Sequence, residues 1–177
     1  MDATRSIPGP TADTLATTAS GRPRGLVRAT LRQPFTAVTW RRAAYAVLSL
    51  PAGLASAADA LRGAPAGQWQ RSLTRHLLGE ELPLGSRRSG LAHALLATPL
   101  NLLCAALTLY GWSLIPMNLA WPLRAGSDPA AAWGGPTFAG AWAFHAVLGT
   151  LLPLLVMPWL GRALTALQLR TARALLS

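Results

Sequence analysis

The sequence predicts an all-α integral membrane protein, and three observations carry that prediction. Residues 89–123 and 129–161 contain no formally charged side chain. Each run supplies the roughly 20 apolar residues a helix needs to cross a hydrocarbon core of about 30 Å. Only a short connection holding Arg124 and Asp128 separates them, which is the pattern of an antiparallel hairpin. The third observation is charge: the 177 residues carry 16 basic and 6 acidic groups, a net charge of +10, and every basic group is arginine. Arginines that flank apolar segments fit the positive-inside tendency, with cationic loops held on the cytoplasmic side against anionic headgroups. That arrangement favours a lipid bilayer over nucleic acid as the partner.

The elements follow in order. Residues 1–33 read as a disordered, basic cytoplasmic tail. Met1 to Gly25 is rich in Thr, Ala, Ser, Gly and Pro, has no apolar core of signal-peptide length, and cannot bury enough surface to offset its ordering entropy. Residues 34–177 form the membrane domain. Its first apolar stretch, 43–58, is short, Ala-rich and interrupted by Pro51 and Gly53, so it is a marginal span. Arginines lie on both sides of it, and a lone crossing would put one basic flank outside. A re-entrant or interfacial helix keeps both flanks cytoplasmic. Two antiparallel transmembrane helices are expected at about 91–115 and 138–160. A tail follows in which Arg162, Arg170 and Arg173 share one face, an amphipathic cytoplasmic helix. The expected protein is multi-pass in the cytoplasmic membrane, with both termini inside.

Tryptophan placement supports the spans. Trp142 and Trp159 are 17 residues apart, about 25 Å along a helix, which matches the separation of two interfacial belts. Trp40, Trp112, Trp121, Trp142 and Trp159 are the expected interface anchors, with Trp112 and Trp121 near the outer end of the first span. Inside the spans the polar candidates are Asn101, Thr108, His145 and Thr150. If Leu91 and Leu160 lie at one level, Asn101 faces Thr150 and His145 lies near the depth of Thr108. Such groups hydrogen-bond across helices as packing glue; a ligand-sensing role is the alternative.

No catalytic, cofactor or metal set is predicted. His76, His93 and His145 are far apart and lack ligand neighbours at helical spacing. Cys104 stands alone in an apolar run. All six acidic residues fall outside the long uncharged runs, which argues against an ion-coupled transporter.

The chain also repeats itself. Residues 42–51 and 90–99 share Ala44, Ala46, Leu48 and Pro51 at an offset of 48, with Pro99 matching Pro51 and His93 taking the place of Tyr45. A second echo pairs Thr74-Arg75-His76-Leu77-Leu78-Gly79 with Ala172-Arg173-Ala174-Leu175-Leu176-Ser177. The expected domain is therefore an abridged first repeat, 34–79, and a longer second, 80–177.

With these residues in hand, the chain resembles the sensor domain family of actinobacterial membrane proteins, which often precedes a two-component histidine kinase. The resemblance rests on Trp40-Arg41-Arg42, Tyr45 and Leu50-Pro51, on the Arg75 and Arg173 closures, and on Pro158-Trp159-Leu160. It implies two hairpins and four spans, whereas the first repeat here lacks about 50 residues. The implied function is a non-enzymatic sensor and signalling module that relays a membrane or envelope signal to a cytoplasmic partner, such as a separately encoded kinase or regulator. Self-association stays open. A small transport or permease-associated component is the alternative.

Overall fold

A computed structural model describes residues 22–64, 67–82, 87–124 and 133–176. These residues are helical, with no strand among them: α1 (Arg22–Arg32), α2 (Ala37–Leu61), α3 (Gln68–Leu78), α4 (Arg87–Leu119) and α5 (Phe138–Leu176), with 3-10 turns at Gln33–Phe35 and Trp121–Leu123. The chain divides into two compact units, Met1–Gln33 and Pro34–Ser177. In the first unit, Arg22–Arg32 is an α-helix inside the stretch expected to be disordered, and residues 1–21 lie outside the described residues.

The second unit holds α2 to α5. Thr36 caps α2, its hydroxyl accepting the Thr39 N–H, and the helix then runs 25 residues without a break at Pro51. The interruption expected at Pro51 and Gly53 within 43–58 is corrected here: the helix is continuous and longer than that stretch. A proline removes one backbone N–H, but neighbours packed along an apolar helix hold it continuous. Three helical stretches are thus long and apolar enough to cross a membrane: Ala37–Leu61, Leu91–Leu119 and Phe138–Leu176. The last also exceeds expectation, because the predicted tail helix is simply the continuation of the second span. Residues 162–176 are mostly Ala, Leu, Arg, Gln and Thr, and no proline interrupts them. At 39 residues, α5 is about 58 Å long.

Helix α3 folds back along α2. Asp59 near the end of α2 accepts hydrogen bonds from Trp69 Nε1 (2.7 Å) and Gln68 Nε2 (3.2 Å) at the start of α3. The α3 end is set by Gly79, whose φ of 70° lies in the left-handed region and which returns its N–H to the Arg75 carbonyl. Helices α4 and α5 pair as an antiparallel hairpin. Two glycines bring the backbones together, one midway and one toward the turn: Gly111 faces the Met157 side chain, and Gly149 faces Asn118.

This register differs from the one expected. Asn101 meets Gln168 rather than Thr150, a shift of 18 residues along α5. Matching the uncharged ends of the spans misplaced the pair, because close approach at glycine and the pairing of buried amides fix the register. One consequence is a molecule with two ends. At one end α2, α3, the start of α4 and the end of α5 pack together around buried side chains. At the other, α4 and α5 continue alone, and α5 exposes Leu148, Leu151, Leu152, Leu155 and Val156.

The glycine contacts yield a test. A Cβ at position 149 falls inside van der Waals contact with Asn118 Cβ, whereas one at 111 meets the flexible Met157 side chain. Gly149→Ala is therefore expected to cost about 1–3 kcal/mol, and Gly111→Ala less because methionine adapts. Thermal unfolding of both variants in detergent measures the order; a larger loss at Gly111 would contradict this account of the helix spacing.

Candidate functional site

Six buried polar side chains of the four-helix end, Tyr45, Ser49, Gln70, Thr74, Asn101 and Gln168, connect into one seam. Buried Ser56 Oγ and His93 Nδ1 stand outside it, and these atoms and the Oε1 atoms of Gln70 and Gln168 have no hydrogen-bond partner among the described residues. Tyr45 and Ser49 lie one turn apart on the inner face of α2, where the Ser49 hydroxyl donates to the Tyr45 carbonyl at 2.7 Å. From α3, Gln70 Nε2 donates to the Tyr45 hydroxyl at 2.9 Å and reaches Ser49 Oγ at 3.4 Å. Thr74 Oγ1 lies 2.8 Å from the Gln70 carbonyl and 3.3 Å from the Tyr45 hydroxyl. From α4, Asn101 Nδ2 donates to the Ser49 carbonyl at 3.2 Å. Gly53 opposite leaves room for that amide. From α5, Gln168 Nε2 donates to Asn101 Oδ1 at 2.9 Å and to the Ala46 carbonyl at 3.4 Å.

A net hydrogen bond contributes about 0.5–1.5 kcal/mol, but an orphaned buried partner costs about 1–3 kcal/mol. The seam therefore acts more on register than on total stability. An apolar core of Ala46, Cys104 and Leu164, with Leu100 and Leu160 against it, packs beside it. Below, Leu82 packs with Ala172 and Leu176. The closing arginines of the two repeats both reach the connection after α3: Arg75 lies 3.3 Å from Glu81 and Arg173 lies 2.6 Å from Glu80. Both pairs are half exposed or more, so each contributes little to stability.

The other expected polar residues stay apart from this seam. Thr108 and Thr150 are hydroxyls without a hydrogen-bond partner among the described residues. His145 stacks on Trp121 with ring centroids 5.1 Å apart. Cys104 is a buried free thiol. Among the described residues no group of three or more His, Cys, Asp or Glu side chains could hold a metal ion.

The five tryptophans expected as anchors form two groups, divided differently from expectation. Trp112 stacks on Trp40, with centroids 4.6 Å apart, and so sits at the start of α2 rather than near the α4–α5 turn. Trp159 lies close to this level, given the contact of Gly111 with Met157, and Arg162 sits over its ring at 5.0 Å. At the far end Trp142 donates to the Leu119 carbonyl at 3.2 Å. Trp121, expected as an anchor, is 9% exposed and packs between Phe138 and His145; it closes the turn.

Sequence reasoning found Asn101 but missed Gln70, Thr74 and Gln168 as its network. A signal was present. Extending the second echo four residues upstream aligns Gln70 with Gln168. Gln70 hydrogen-bonds Tyr45 of α2, and Gln168 hydrogen-bonds Asn101 of α4 as well as the Ala46 carbonyl of α2.

Comparison with family models, with curated proteins and with solved structures finds no match for this chain.

The seam predicts non-additive losses. Asn101→Leu and Gln168→Leu should each destabilise the protein, and the double variant should cost less than the sum by about 0.5–2 kcal/mol. Asn101→Leu with Thr150→Val should be additive. Denaturant unfolding in detergent measures both cycles, and additivity in the first would show that the amides are not coupled.

Proposed function

We propose that this chain is a non-enzymatic membrane signalling module, similar in role to the sensor domain it resembles, which passes a bilayer or envelope condition to a cytoplasmic partner. The observation that carries the reading is α5. One uninterrupted helix starts with lipid-type leucines on its surface and ends in the polar seam, where Gln168 links it to α2 and α4. A tilt or rotation of its apolar part is thereby transmitted to the four-helix end.

Charge distribution supports a definite placement in the membrane. Arg41, Arg42, Arg62, Arg71, Arg75, Arg162, Arg170 and Arg173 all belong to the four-helix end, and Arg124 alone follows α4 at the other. The positive-inside tendency puts the first group in the cytoplasm. The hydrocarbon core then covers the part of α5 between Trp142 and Trp159 and the outer half of α4. Helix α2, though long and apolar enough to cross, stays beside the cytoplasmic end with α3. Exposed Leu48 and Leu54 of α2 and Leu95, Leu102 and Leu103 of α4 leave apolar surface at that end, which self-association of the chain would cover. A separately encoded kinase or regulator would meet the exposed arginines of the same end.

Single cysteines in a Cys104→Ala background test the placement. With an impermeant maleimide on intact cells, Thr137→Cys is expected to react and Ser72→Cys to react only after permeabilisation. Labelling of Ser72→Cys from outside would overturn the topology. If the topology holds, cross-linking between copies through Leu102→Cys tests self-association, and its absence would remove that part.

A further inference from the structure

Below Trp159 a half-open cleft of about 230 Å³ lies between α2, the end of α3 and α5. Arg41 and Arg42 of α2 and Arg162 of α5 line it, with Leu77, Thr165 and Glu80 among the remaining wall residues. Its charge is unbalanced. The one acid, Glu80, is taken by Arg173 at 2.6 Å, and no carboxylate among the described residues pairs with Arg41, Arg42 or Arg162. Arg42 and Arg162 act on each other as like charges. Two guanidinium groups held together without a counter-ion raise the energy of the fold, and an anion between them lowers it. Guanidinium groups match phosphate oxygens in charge and in the fork geometry of their N–H donors.

We propose that this cleft binds the phosphate of an anionic phospholipid headgroup. The source is a lipid because of where the cleft opens, and in this the inference rests on the membrane placement proposed above. Trp40, Trp112 and Trp159 gather at its level. Directly beyond them α5 exposes Leu151, Leu152, Leu155 and Val156, the surface that acyl chains would cover. Basic pockets on the cytoplasmic side of membrane helices suit such headgroups. The wall residues come from both repeats, so the bound phosphate would tie α2 to α5 at the point where the latter leaves the bilayer.

The test follows thermal unfolding of the full chain in neutral detergent by tryptophan fluorescence. Phosphatidylglycerol, phosphatidylcholine or inorganic phosphate is added at matched concentration. Phosphatidylglycerol at about 100 times its dissociation constant is expected to raise the midpoint by roughly 5–10 °C, and the other two by far less. Arg42→Gln with Arg162→Gln should abolish the shift, the corresponding lysine pair should retain part of it, and Arg170→Gln should retain it fully. Without lipid the glutamine pair should melt no lower than the parent, since it removes a repulsion. If that variant does not fold, Arg41→Gln, at an exposed position, carries the test through a reduced shift. An equal shift with phosphatidylcholine, or in the variant lacking the arginines, overturns the site. An equal shift with inorganic phosphate overturns the lipid source while leaving the topology, tested by cysteine labelling, untouched.

Discussion

The structure depends on the amide of Gln168. It is buried, and its Nε2 reaches Asn101 of α4 and the Ala46 carbonyl of α2 at once. In an apolar interior leucines slide past one another at little cost, because one methyl contact resembles the next. A buried amide has few alternative partners, and displacing it leaves donors and acceptors unpaired. Register between helices of 33 and 39 residues is therefore set by a handful of polar atoms. Gly111 and Gly149 then let the rest of the hairpin close.

That constraint explains why the two ends of the molecule look unlike each other. Where the seam runs, four helices share a core and Tyr45, Gln70, Thr74 and Leu176 are fully buried. Beyond Trp112 and Met157 the described residues form no such seam, and α4 and α5 pair with leucines turned outward.

Much of the fold was legible in the sequence, and the reasons are local. Uncharged runs marked α4 and α5 because charge in hydrocarbon is expensive. Repeated Ala-x-Ala and Arg-x-Leu-Leu patterns pointed to two related units; Gln70 and Gln168, at matching positions of the second echo, are both buried and bonded, though to partners that do not correspond in the first. Asn101 stood out as an amide in an apolar run. What sequence alone could not yield was its partner. Span ends were aligned by where charge begins, and Arg162 begins well before α5 stops. Pro51 and Gly53 suggested an interruption, but packing on both sides overrides a single missing N–H. Gln168 was invisible as a core residue because it sits among arginines in what reads as a surface tail.

The fusion of membrane helix and tail into one rod has a mechanical consequence. A piston step of one turn along α5 would move it about 5.4 Å, further than the amide of Gln168 can follow while holding two partners near 3 Å. A pivot about that amide keeps both of its hydrogen bonds, with α4 moving alongside α5 through the close contacts at Gly111 and Gly149. The rod thus has the shape of a lever with its fulcrum at position 168: a long arm from Phe138, a short arm of eight residues beyond the amide, and Arg173 with its carboxylate near the tip. Large, soft excursions at one end of such a rod become small, stiff ones at the other.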